Sequence, residues 1–368
     1  MRPKSGLPKR KALRAMPEYE CGFRDSAITK QQRSRDRKYA DRPMASVLSM
    51  FAGCGGFDLG LLGGFSVYGE YYHKLPFELK HAYDFNPDAV ETYKLNIGND
   101  ASVADLTEVE MESLPAADVL TGGFPCQDFS SCGPKTGFEG KRGKLYTVMV
   151  EYMRVHRPKL VIGENVPHLA KLSGGALLRK IVDDFEAEGY RFKVWTLYCP
   201  DYGLPQNRTR LIFVGVRNDI AEVGGMPLPP EPAFFTRHRS IDDAIDDLIP
   251  IKDETIANQS QYFVATKATA GAGQGDQKNE RGKIAYAMRA NPKARIHFHH
   301  RLDRRLTIRE CARLQSFPDE FVFPFSASTN VMQIGNAVPP IIGHAVGFEI
   351  AEFFQKIAAI EVDSSVTK

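Results

Sequence analysis

One unit recurs along the first half of this chain: a short apolar run, a tight turn at its carboxyl end, then a helical pattern. "ASVLSMFAGCGGFDLGL" (residues 45–61) is a buried strand, a glycine loop and a helix start. "HAYDFNPDAVETYKLN" (81–96) repeats it, with a strand ending near Asp84 and a helix opened by Asn86 and Pro87. Proline suits a first helical turn, where its missing N–H costs nothing. "DVLTGGFPC" and "PKLVIGENV" supply a third and a fourth strand, and "YRFKVWTLYCPDYGLPQ" and "RTRLIFVGVR" two further extended runs. Helical stretches at 144–156 and 175–189 fall between them. Strands alternating with helices predict an α/β fold, doubly wound on a mostly parallel sheet.

At 368 residues the chain has room for one large domain and a smaller one. The repeating unit occupies 45–218. From 219 to 330 the character changes, with prolines clustered at 227–232 and a loop-like "TAGAGQGDQKNERGK". Residues 281–305 then hold eight Arg or Lys and one acid, Asp303, with His297, His299 and His300 interleaved. This reads as a smaller domain with a basic face, followed by a C-terminal segment (331–368) that returns to the first domain.

The net charge of +3 conceals an asymmetry. Residues 1–44 carry 13 Lys and Arg against 5 Asp and Glu, which is +8, so the remainder is −5. Such an arm is either a flexible solvated tail or a contact for nucleic acid phosphates, and Met44 offers an alternative start. No apolar run is long enough for a membrane span, and the basic N-terminus lacks the apolar stretch of a secretory signal. The six cysteines are scattered without metal-like pairs, so a reduced cytoplasmic protein with no metal is expected.

The candidate chemistry gathers at strand ends. Gly53, Gly55 and Gly56 let a ligand approach the backbone closely. Asp84 ends the next strand, where a carboxylate can accept from ribose hydroxyls, and Phe85 can stack on an adenine. The loop is not a full GxGxxG pattern and no phosphate-binding lysine follows, so a nucleoside without phosphates fits best, which suggests S-adenosylmethionine. The third and fourth strands deliver Cys126 and Glu164 to the same sheet edge. There a thiol is more than a small buried hydrophobe, and poor solvation of Glu164 favours the neutral acid.

The blocks "FAGCGGFDLGL", "FPCQDFS", "RGKLY", "ENV", "QNRTRLIFVGV", "RLTIRECARLQSFPD" and "QIGNAVPP" occur in that order. In this the chain resembles the DNA (cytosine-5)-methyltransferases of bacterial restriction-modification systems, over nearly everything after residue 45. The resemblance implies that Cys126 attacks C6 of a flipped-out cytosine. Glu164 then holds N3 and N4, and Arg210 holds O2, with Arg208 in the same catalytic set supporting that loop. It assigns the S-adenosylmethionine site to Phe51, Gly53, Cys54, Gly56, Asp84, Phe85, Asp105, Leu106, Pro125, Leu145, Asn336 and Ala337. Gln127 and Cys132 would face the DNA from a mobile lid. Arg289, Arg295 and the three histidines would meet guanines or phosphates. At the recognition position the family usually has Thr followed by Ile, Leu or Val, and this chain has Ala287-Met288. Double-stranded DNA is the expected partner of a monomer, with a cognate restriction endonuclease as functional companion. Methylation of tRNA, or a catalytically inactive DNA-binding relative, are the alternatives.

Overall fold

The computed structural model describes residues 45–124, 145–234, 236–262 and 276–366. The sheet is built from β1 (Ala45–Met50), β4 (Phe77–Asp84), β5 (Ala101–Val103), β6 (Val119–Gly122), β7 (Leu160–Asn165), β8 (Tyr190–Tyr198) and β9 (Thr209–Arg217), in the order β5-β4-β1-β6-β7-β9-β8. The first five run parallel, and β9 lies antiparallel to both its neighbours. A small hairpin, β2 (Phe65–Val67) with β3 (Glu70–Tyr72), stands apart. From β1 the chain builds outward through β4 to β5, then returns to add β6 and β7 on the other side. The strand order therefore reverses between β1 and β6, and such a switch point opens a crevice at the strands' carboxyl ends.

Local chemistry sets the turns. α1 (Gly56–Leu62) starts after Gly55 in the left-handed conformation (φ 90°). α2 (Pro87–Asn96) starts with the Asn86 side chain accepting from the Asp88 and Ala89 amides and with proline in its first turn. α3 (Tyr146–His156) and α4 (Ala176–Ala187) fall within the stretches read as helical. Residues of alternate parity in the strands feed two apolar layers. Val47, Ile162, Ile212 and Val214 join one cluster, and Leu48, Val161, Leu211 and Phe213 the other.

The first of these clusters continues into the chain beyond 219. Ile241, Ile245, Met288, Leu306 and Ile308 pack in it, with Phe317, Phe321 and Phe323. Regular elements are few here: α5 (Asn218–Gly224), α6 (Ile241–Ile245), α7 (Ile308–Leu314) and α8 (Ala327–Asn336). Buried side chains do the work of ladder bonds. Asn258 exchanges hydrogen bonds with the Phe323 backbone, at 2.9 and 3.0 Å. Asn279 donates to the Phe298 carbonyl, and the fully buried Arg309 spreads over the carbonyls of Ala257, Pro318 and Phe321. Each gives buried carbonyls a hydrogen bond where regular strand ladders are lacking.

The last helix, α9 (Pro340–Val366), lies against α1 through glycines on both sides. A Cβ on Gly60 would sit 2.1 Å from the Pro340 carbonyl oxygen, and one on Gly343 would sit 2.5 Å from that of Phe57. Among the described residues no helix is long and apolar enough to cross a membrane.

Candidate active site

The crevice between β1 and β6 has a glycine-loop side and an acid side. On the first, the turn after β1 is left-handed at Phe51 (φ 56°), Gly53 (φ 58°) and Gly55. Phe51 is the unusual member, because a side chain resists that conformation and functional loops are where such strain collects. Asp84 holds the turn: its Oδ2 accepts from the Gly53 amide and its Oδ1 from the Asn86 amide, each at 2.8 Å. Burial pushes its carboxyl above the usual range, and the two amides act against that rise.

Phe85 is 72% exposed at the same strand end, and Val103 stands exposed on neighbouring β5. Asp105 is exposed and folded into a turn, accepting from the Thr107 amide and hydroxyl at 3.0 and 2.7 Å. Leu106 is buried beside it. A cavity of about 500 Å³ opens beyond this edge toward Thr147 and Glu151, and of the expected cofactor residues that are described Leu106 alone lines it.

Across the crevice, Glu164 near the end of β7 pairs with Arg210 at the start of β9, Nε to Oε1 2.6 Å, both mostly buried. The reversed direction of β9 is what brings its first residues to the carboxyl ends of the parallel strands. Gly123 lies against this acid, since a Cβ there would be 3.5 Å from Glu164 Oε2. The Asn165 side-chain Nδ2 donates to the Phe124 carbonyl at 3.0 Å, and the Phe124 ring packs on Phe213 and Tyr146. The chain is thus anchored beside Glu164 two residues before Cys126. Pro125, Cys126, Gln127 and Cys132 themselves lie outside the described residues.

Gly56 is brought against the C-terminal segment, where a Cβ would meet the Val338 carbonyl oxygen at 2.3 Å and Ala337 at 3.2 Å. Ala337 is half-buried, Asn336 is exposed at the end of α8, and Leu145 is half-buried just before α3. The first glycine loop and the "NAV" stretch therefore meet.

Three expectations change. The Cys54 side chain faces the core: it is 2% exposed, its Sγ lies 3.8 Å from the Gln333 carbonyl oxygen, and burial pushes its thiol up to about 12. At most its backbone borders the crevice. Arg208 is also buried. It donates to the carbonyls of Met288 (3.0 Å), Gly335 (3.2 Å) and Ala337 (2.9 Å), so it holds backbone rather than substrate. Burial, then the charge of Arg210, lowers its pKa to about 9.

The histidines read as part of a basic face are interior. His297 is pushed down to about 4 and His299 to about 3, both chiefly by burial. His297 accepts the Arg289 amide, and His299 Nδ1 accepts those of Arg301 and Leu302. They shape turns that no sheet supports. His300 pairs with Asp246 at 2.8 Å and, with Asp242, brings three metal-type ligand atoms within 4.8 Å of one another. Arg281 and Arg301 already compensate those two carboxylates. Arg289 and Arg295 are exposed, with Asp276 3.8 Å from Arg295.

Gln206 and Gln315 carried no expectation, yet both are wholly buried in the same knot as Arg208. Gln206 donates to the Leu314 carbonyl and accepts the Met288 amide at 2.8 Å, and Gln315 donates to the Ala337 carbonyl at 2.6 Å. Their place in "PQNRTR" and "ARLQSF" was the available signal.

A doubly wound sheet with a glycine loop on one side of its switch point, and an acid–arginine pair on the other, is the architecture of the Rossmann-like methyltransferases. The family model for C-5 cytosine-specific DNA methylase matches residues 45–352, and the chain belongs to that family. It is 32% identical over 327 residues to the type II methyltransferase M.NgoFVII of Neisseria gonorrhoeae, covering 80% of this chain and 83% of that one. It is 30% identical over 359 residues to M.BspRI of Lysinibacillus sphaericus, covering 84% and 82%. Among solved structures, its fold is similar to the Entamoeba histolytica methyltransferase EhMeth (TM-score 0.62, 15% identity, 86% of this chain and 99% of that one). It is also similar to the Schizosaccharomyces pombe Dnmt2 methyltransferase (TM-score 0.59, 17% identity, 84% and 98%).

Proposed function

We propose that this protein is a site-specific DNA methyltransferase that modifies C5 of a flipped-out cytosine in duplex DNA, using S-adenosylmethionine, as the partner of a restriction endonuclease. One juxtaposition carries the reading. The glycine loop with Asp84 and Phe85, and the Glu164–Arg210 pair, face the same switch point, and the chain leading to Cys126 is anchored between them.

The residues present fit the cofactor. Among the described residues nothing lies within 4 Å of where a Cβ of Gly53 would be, Phe85 is largely exposed, and the Asp84 oxygens keep lone pairs beyond those the amides use. Asp84 and Phe85 would hold its nucleoside, with Asp105 and Asn336 at the rim. When bound, the cofactor supplies an electrophilic methyl group.

The chain's own residues do the rest. A cytosine ring is too electron-poor at C5 to be methylated directly. Bond formation from the Cys126 thiolate to C6 makes C5 nucleophilic, with Glu164 giving a proton to N3 and accepting from N4. Arg210 holds O2, where negative charge develops. Once C5 carries the methyl group, loss of the C5 proton to water re-forms the C5–C6 double bond, expels the Cys126 thiolate and returns the N3 proton to Glu164. Residues 219–330 form the target-recognition region, with Arg289 and Arg295 facing DNA, and 331–368 close the cofactor pocket.

Transfer of a labelled methyl group to duplex DNA but not to tRNA, with bisulfite mapping of one sequence context, is the expected result. Duplex containing 5-fluorocytosine should trap a covalent adduct with the parent and not with Cys126→Ser, because that C5 has no proton to lose. Label in tRNA alone would overturn the substrate, and an equal adduct yield from Cys126→Ser would overturn the nucleophile.

A further inference from the structure

The buried knot around Arg208 spans three segments with different duties. The loop entering β9 is stitched to the segment at 285 on both sides, Asn207 amide to Ala285 carbonyl and Ala285 amide to Pro205 carbonyl, each at 2.8 Å. Gln206 then takes the Met288 amide and Arg208 the Met288 carbonyl, so both polar groups of that residue are held from one loop. The other Arg208 nitrogen reaches the Gly335 and Ala337 carbonyls, and Gln315 doubles the bond to Ala337. The two segments held this way also touch directly: a Cβ on Gly335 would sit 2.3 Å from the Arg289 carbonyl carbon and the Ala290 nitrogen. Two residues after Arg208 comes Arg210, paired with Glu164.

A guanidinium whose partners here are carbonyls is a poor choice for stability alone, since burying a cation is expensive without compensation. Its rigid fork, however, can fix several acceptors at set angles in a way a lysine cannot. We infer that Arg208 is a positioning residue that ties the recognition segment at Met288 to the cofactor-closing turn at Gly335–Ala337, so that DNA and cofactor binding are coupled through it. This rests on the function proposed above. A shift of the 288–290 backbone toward DNA must move the carbonyls on the far side of the fork, or break their hydrogen bonds. The coupling is reciprocal, as binding linkage requires.

Calorimetry of S-adenosylhomocysteine on the full chain, with and without a duplex carrying the mapped site, tests this. The parent should bind the ligand more tightly with DNA present, by a factor in the roughly 5–150-fold range of such couplings. Arg208→Lys should bring that factor near one. Gln315→Met, a smaller lesion at the same carbonyl, should lower it partially and decides the matter if Arg208→Lys does not fold. Arg309→Lys is the control for burial alone: this equally buried arginine lies on three carbonyls of the recognition region and has no bond to the 335–337 turn, so whatever it does to DNA affinity the factor should stay unchanged. A parent factor near one, an unchanged factor in Arg208→Lys and Gln315→Met, or an equal loss in Arg309→Lys would overturn the inference. A parent that transfers no methyl group to DNA would instead fail the functional reading, and the inference with it.

Discussion

Asp84 pins the glycine loop through Gly53 and, in the function proposed above, also offers its carboxylate to the cofactor. Replacing it by alanine removes both. Affinity for S-adenosylmethionine should fall by at least about 1.5–3 kcal/mol, the range for a hydrogen bond to a charged group. Calorimetry showing unchanged affinity would remove Asp84 from the cofactor site. Asp58, 26 residues earlier, is a buried acid of another kind. It accepts from Ser49 Oγ (3.0 Å) and Tyr93 Oη (2.9 Å), and burial raises its pKa from 3.8 to about 6. A folded-state value above the unfolded one means stability that is complete below about pH 4 and is lost as the pH rises through about 6. Denaturant titrations of Asp58→Asn should lack that part of the slope between pH 4 and 6. Parallel curves for parent and variant would show that Asp58 titrates normally.

At the scale of elements, the α1–α9 packing depends on the absence of side chains. Gly60→Ala puts a methyl group onto backbone that cannot step aside, and should destabilise the fold by about 1–3 kcal/mol by denaturant unfolding. An unchanged unfolding midpoint would mean that the helices separate easily. Such contacts separate what the sequence discloses from what it hides. The helix starts are readable because Asn86-Pro87 and the strand-ending glycines act locally, and 144–156 and 175–189 enclose the observed Tyr146–His156 and Ala176–Ala187. The reversal of β9 is not readable, since an apolar run is the same in either direction. The Cys54 thiol, the histidines and the Gln206–Arg208–Gln315 knot are hidden for a related reason. Polar residues in a polar stretch read as exposed, and only partners far along the chain bury them; Arg208 reaches 80 residues to Met288 and 129 to Ala337. That Glu164 and the Asp84 edge lie at the same end of the sheet was legible, because strand ends of a doubly wound sheet converge whatever else the chain does.

Over the whole molecule, charge is divided between an arm of +8 and a remainder of −5, and the arm lies outside the described residues. If it lies along phosphates, a chain beginning at Met44 should bind DNA more weakly. Its salt dependence should flatten by about 0.9 log unit for each phosphate that the arm no longer neutralises. The methylated site should stay the same, because phosphate contacts position without specifying. Binding isotherms at several salt concentrations measure this: identical slopes would make the arm a passive tail, and a changed site would mean that it reads bases.

The meeting of Gly56 with Ala337 and Val338 bears on how the protein is made. A domain's first residues leave the ribosome well before its last and begin folding without them. Here the glycine loop is translated some 280 residues before the turn that packs against it. Until that turn and α9 emerge, the loop has no floor and α1 has no cover. Base modification is therefore expected only once residues 337–338 and the start of α9 have been made, and a fragment ending before them should be inert.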